Sequence, residues 1–230
     1  MSHALNFYRI RTVSRALGVL RDRTVFIGGA ALSLYLDPEA SEARPTEDVD
    51  LLVELLTYPE ITRTEKELRD KGFSHVPDAP FKYRYEYDGI FVDLMPMDEQ
   101  VLGFMNRWYH EAFANAQQYA IEEEERIWIF TPSYFLAAKL EAFDKRGKKD
   151  FFASRDLEDI VLLLENRERI WEELNATEGA LRDYLKEQFE ELMKDDRFRE
   201  FLESNVQGAD PRAVDEILGR LADLLGQGDE

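Results

Sequence analysis

Two aspartates, Asp48 and Asp50, constrain this chain more than any other feature. They stand at the mouth of an apolar run, and strand alternation puts residues i and i+2 on one side. Two carboxylates pointing the same way repel unless protons or a cation come between them. A divalent metal is the natural cation, because hard oxygen ligands suit magnesium, which is commonly held by one or two carboxylates plus substrate phosphates. The stretch upstream supplies a companion feature. Val25, Phe26 and Ile27 read as a short buried strand that ends at Gly28-Gly29 and feeds a short helix over 30–36. A glycine corner at a helix start offers backbone N–H groups and a positive dipole end to a phosphate. Taken alone, the same corner is also what a tight strand-to-helix turn looks like.

Around this segment the hydrophobic pattern predicts a leading amphipathic helix over 3–20 and a polar loop over 39–47. A strand over 49–56, apolar enough for burial on both faces, and a helix over 59–72 follow. A short strand over 73–76 comes next, then a hairpin of 81–87 and 90–95 joined by Asp88-Gly89. The second hairpin strand carries Asp93 among Phe91, Val92, Leu94 and Met95. A charge in such surroundings needs a partner, so Asp93 reads as a third carboxylate beside Asp48 and Asp50, with a strand-end salt bridge as the alternative. A helix over 101–120, an acidic turn over 122–125 and a strand over 126–130 close the first region.

From Thr131 the composition turns helical: an amphipathic helix over 134–146, a basic loop over 145–149, and a helix over 154–165 with Ser154 as its N-cap. Further charged helices cover 170–202 and 211–225, and a short tail covers 226–230. This predicts an α+β fold: a small mixed sheet flanked by helices over 1–130, followed by a C-terminal helical region over 131–230 that completes the active-site cleft.

The chain has no cysteine, which removes thiolate nucleophiles, disulfides and zinc-thiolate sites. Its amino terminus lacks an apolar signal core and no apolar run is long enough to span a bilayer, so a cytoplasmic protein without membrane partners is expected. The formal charge of -19 argues against broad nucleic-acid binding. It is compatible with a solubilising surface, a basic protein partner or a salt-adapted host. The Lys145 to Lys149 loop, with Arg155 nearby, is the concentrated basic patch. Lys82, Tyr83, Arg84 and Tyr85 offer stacking positions, although a half-buried strand gives the same alternation.

The order of elements, with GGAAL at 28–32, RPTEDVDLLVE at 44–54, VDLMP at 92–96, KLEAFDKRG at 139–147 and SRDLEDIVLLL at 154–164, resembles the nucleotidyltransferase superfamily that includes DNA polymerase β. It resembles more closely the AbiEii-like nucleotidyltransferase toxins. The resemblance implies that Gly28 and Gly29 hold the nucleotide phosphates, that Asp48, Asp50 and Asp93 bind Mg2+ or Mn2+, and that Asp93 helps to deprotonate the acceptor. Lys139 matches a lysine that contacts the triphosphate. Asp156, or its helix-face neighbour Asp159, matches a further acidic residue. Arg44 and Thr46, from the R-x-T-x-D-V-D segment, are additional candidates. The implied activity is metal-dependent transfer of a nucleoside monophosphate from an NTP to an RNA, tRNA among them, or to a protein hydroxyl, with a cognate antitoxin as partner. A catalytically inactive module that binds a nucleotide or a partner protein on the same fold is the alternative, and simple nucleotide hydrolysis is a third reading.

Overall fold

The computed structural model describes residues 2–38, 43–54, 58–97, 105–147, 150–206, 208 and 210–226. The chain separates into two units, Met1–Leu34 with Glu42–Thr131, and Tyr35–Ser41 with Pro132–Glu230.

The first unit opens with α1 (Ser2–Leu17), whose Ile10, Val13 and Leu17 follow helical spacing and are fully buried. A 3-10 segment over Gly18–Arg23 leads into β1 (Thr24–Ile27), and α2 (Gly28–Leu32) begins at the glycine corner. There follow β2 (Asp48–Val53), α3 (Tyr58–Asp70), β3 (Ser74–His75), β4 (Arg84–Tyr87) and β5 (Ile90–Pro96). The unit then adds α4 (Tyr109–Ala114), β6 (Gln117–Ala120) and β7 (Arg126–Ile129). The strands form one sheet in the order β3-β4-β5-β2-β1-β7-β6. It is mixed: β2 runs parallel to β5 and β1 parallel to β7, while β1 with β2, β4 with β5 and β6 with β7 are antiparallel. The interior position of β1, paired on both sides by β2 and β7, explains why all four of its residues are buried.

Two sequence expectations change here. The helix expected over 101–120 starts in residues outside the described ones. Within the described part, α4 stops at Ala114, where Asn115 caps it, and Gln117–Ala120 is an edge strand on β7. Its residues alternate half-buried with exposed because one face of an edge strand meets solvent. The hairpin expected over 81–95 is shorter at its start, with strand geometry beginning at Arg84. Tyr83 and Tyr85 lie buried in the core, so the alternation there is that of a half-buried strand and offers no rings for base stacking.

The second unit is helical: α5 (Pro132–Ala142), a π turn over Phe143–Gly147, a 3-10 turn over Phe151–Ala153, α6 (Arg155–Asn166) and α7 (Ile170–Asn175). The long helices α8 (Gly179–Met193), α9 (Asp196–Asn205) and α10 (Pro211–Leu225) complete it. Side chains set the helix starts. Ser154 accepts the Leu157 N–H, Asp195 the Arg197 N–H and Asp210 the Arg212 N–H. The segment at Tyr35 to Pro38 belongs to this unit through its own bonds. Arg167 donates to the Tyr35 carbonyl, the Asp37 N–H donates to the Asn166 carbonyl, and the Asp37 carboxylate accepts the Glu168 N–H.

Candidate active site

The strand register assembles the site in the first unit. The two-residue turn Asp88-Gly89 pairs Tyr87 with Ile90, and counting outward sets Arg84 opposite Asp93. The parallel pairing of β2 with β5 then sets Asp93 opposite Asp50, and β1 sets Ile27 opposite Asp50. Registered partners on neighbouring strands share a face. Arg84, Asp93 and Asp50 therefore form a row across the sheet, and Asp48 joins the same face two residues before Asp50.

The guanidinium of Arg84 bridges the carboxylates. Its Nε donates to Asp93 Oδ1 at 2.7 Å, and one terminal nitrogen donates to Asp93 Oδ2 at 2.6 Å and to Asp48 Oδ2 at 2.7 Å. The fork on Asp93 is the charge-assisted bidentate geometry that arginine forms best. The hydrogen bond to Asp93, opposed by partial burial and reinforced by the charges of Asp93 and Asp48, holds the guanidinium well above its ordinary value. Phe91, whose ring centroid lies 5.3 Å from the guanidinium carbon, supplies an apolar backing.

At the other end of the row stands the glycine corner. Gly28 has φ +74°, and a Cβ built on it would overlap the Asp50 carboxylate. Gly28 is thus required both by its conformation and by the approach of Asp50. The segment that enters β2 is held from α1. Asn6, fully buried, donates to the Arg44 carbonyl at 2.9 Å and to Ser33 Oγ at 3.0 Å, and accepts the Thr46 N–H at 3.0 Å. Arg9 donates to the Thr46 carbonyl, and Thr46 Oγ1 donates to the Asp48 carbonyl at 3.0 Å. Arg44 and Thr46 accordingly lie in the segment that α1 holds, just before Asp48.

Among the described residues no cluster of three or more histidine, aspartate or glutamate side chains is arranged as a ready metal cage. The donor chemistry nevertheless suits a hard divalent ion. Asp48 and Asp93 already hold a cation between them, the guanidinium of Arg84, with Asp50 next in the row. Sequence reasoning missed Arg84, although the hairpin turn contained the signal.

The remaining candidates form a cluster within the second unit. Lys139, on α5, donates to Asp159 at 2.5 Å and to Asp156 at 3.2 Å, both carboxylates on α6. Arg146 forks onto Asp156 from the π turn, with Nε to Oδ2 at 2.8 Å. Burial works against the Lys139 ammonium, but Asp159 and Asp156 more than offset it, and its pKa stands above the ordinary value. Burial likewise works against the Asp156 carboxylate, and Arg146 with Lys139 brings it below its ordinary value. Lys145 pairs with buried Glu141 at 2.7 Å. Two cations of the expected basic loop are thus bound to carboxylates of their own unit; Lys148 and Lys149 lie outside the described residues.

A mixed sheet with a carboxylate row, a glycine corner beneath one member and a helical second unit is a nucleotidyltransferase-type fold. The chain belongs to the family described as nucleotidyl transferase AbiEii toxin, type IV toxin-antitoxin system, whose model matches residues 11–220. That family is one of nucleotidyltransferase toxins and implies a cognate antitoxin. A comparison with curated proteins gives no match. Among the described residues no helix is long and apolar enough to cross a membrane.

Proposed function

We propose that this protein transfers a nucleoside monophosphate from a nucleoside triphosphate to a hydroxyl on RNA or protein, as the toxin of a toxin-antitoxin pair. The observation that carries the reading is the row Arg84, Asp93, Asp50 with Gly28 beneath Asp50, in a chain of a nucleotidyltransferase family. Asp48, Asp50 and Asp93 are the residues that would hold Mg2+ or Mn2+. A divalent ion there supplies positive charge to the α-phosphate and to the attacking and leaving oxygens of an in-line displacement. Asp93, buried and at the row's centre, is the residue for the acceptor proton. Gly28 and Gly29 give the nucleotide phosphates close approach to backbone at the start of α2. Lys139 is the triphosphate lysine of this reading and Asp156, with Asp159, the acidic partner that keeps it charged. The atoms balance without a covalent enzyme intermediate: the acceptor oxygen bonds to the α-phosphorus, pyrophosphate leaves, and the acceptor proton passes to a carboxylate.

One observation favours the alternative of a binding module without turnover, namely the ion pairs that Arg84 makes with Asp48 and Asp93. Incubation with each labelled nucleoside triphosphate, Mg2+ and cell extract separates the two. Transfer gives a labelled RNA or protein band that disappears in Asp48→Ala and Asp50→Ala. A binding module gives metal-dependent nucleotide binding with no labelled acceptor, and free nucleoside monophosphate alone marks hydrolysis.

A further inference from the structure

We infer that Arg84 is a built-in counter-cation that holds Asp48 and Asp93 together before metal arrives and leaves when a divalent ion enters, so that it sets the metal threshold of the site. The inference rests on the reading of these aspartates as metal ligands and adds a role for Arg84 that the reading does not assign.

The geometry carries it. The donors of one guanidinium take both oxygens of Asp93 and one of Asp48. These are oxygens that a hard cation would use. A guanidinium and a divalent ion cannot share them without unfavourable proximity of like charges. Arg84 also has somewhere to go. It sits on β4, whose partner on the far side is the two-residue strand β3, and its side chain retains 21% exposure while that of Asp93 retains 10%. The departing guanidinium thus exchanges carboxylate for water, while the buried carboxylate stays with a cation.

The arrangement has a reason in the strand register itself. Asp50 and Asp93 are cross-strand partners, and like charges directly opposite each other destabilise a sheet. Arg84, opposite Asp93 on the other neighbouring strand, offsets that repulsion when no ion is bound. An arginine cannot shed its proton, so the neutralisation is permanent and is removed only by displacement. A lysine at the same position would lose the fork.

The test is Mn2+ binding to the full chain without nucleotide, measured by electron paramagnetic resonance of free Mn2+. Arg84→Gln is expected to bind Mn2+ about tenfold or more tightly than wild type, the equivalent of one lost charge-assisted hydrogen bond, with Arg84→Lys between the two. A second readout does not depend on any variant folding. The Arg84 Nε–H proton in wild type is expected to be protected from solvent exchange in chelator and to lose that protection as Mg2+ is added. Unchanged or weaker Mn2+ binding in folded Arg84→Gln, or a protected Nε–H that persists in saturating Mg2+, overturns the inference. If Mn2+ binding in wild type survives in Asp93→Asn and Asp50→Asn, the metal reading of the site fails instead, and the Arg84 inference falls with it.

Discussion

Asp50 places its carboxylate where a side chain on Gly28 would have to stand. Gly28→Ala therefore meets both a left-handed φ and an occupied volume. Gly89 has nearly the same φ, +73°, but nothing lies within 4 Å of its Cβ position. The backbone cost alone is about 1–2 kcal/mol. Urea denaturation is expected to show roughly that loss for Gly89→Ala and a larger one for Gly28→Ala, and labelled-nucleotide transfer is expected to collapse in Gly28→Ala alone.

Asn6 ties α1 to the segment that delivers Asp48. Asn6→Ala leaves the Arg44 carbonyl, the Thr46 N–H and Ser33 Oγ without this partner in a buried position. The expected loss is about 2–4 kcal/mol, from unpaired polar groups plus a small cavity. Urea midpoints measure it, and hydrogen exchange at Thr46 is expected to rise ahead of exchange in β1.

Lys139 separates two buried carboxylates in the second unit. Lys139→Met takes the ammonium away from the buried Asp159 carboxylate, and breaking a buried pair in this way costs about 3–5 kcal/mol. The double variant Lys139→Met/Asp159→Leu is expected to regain most of that stability, since Asp156 keeps Arg146. Thermal or urea unfolding of the three proteins gives the comparison.

The same cluster fixes a pH dependence. Asp156 is depressed below 3.8 in the folded protein, so its contribution is present above that value and disappears as pH falls through the lower folded value. Lys139 is raised above 10.5, so its contribution is fully present below that value and is lost as pH rises through the higher folded one. Asp156→Asn is thus expected to be less stable than wild type near neutral pH and to converge with it as the pH falls below 3.8 and through the lower folded value, read from urea midpoints across that range.

Much of the site was legible because its parts are local. Strand alternation puts Asp48 and Asp50 on one face, and the Asp88-Gly89 turn announces the hairpin bearing Asp93. The Ser154 cap is legible for the same reason, being a bond to Leu157 three residues on. What escaped depends on partners distant in sequence. Gln117–Ala120 is polar, and only its pairing with β7 makes it a strand. Arg84 looked like the polar half of an alternating strand; the hairpin register already sets it opposite Asp93, but its bond to Asp48 emerges only when β2 lies beside β5. Lys145 and Arg146 read as a free basic patch, but each binds a carboxylate that only the packing of the helical unit brings near.

Nucleotidyl transfer by this protein is decided by the fate of the α-phosphate. Wild type and the variants Asp50→Asn and Asp93→Asn are incubated with Mg2+, cell extract, and nucleoside triphosphates labelled either at the α- or at the γ-phosphate. The α label is expected to become attached to an RNA or protein while the γ label leaves as pyrophosphate. Both signals are expected to fall by roughly a hundredfold or more in each variant, the loss typical of removing one element of transition-state charge stabilisation. Label that reaches no acceptor, or transfer that is undiminished in Asp50→Asn and Asp93→Asn, would contradict it.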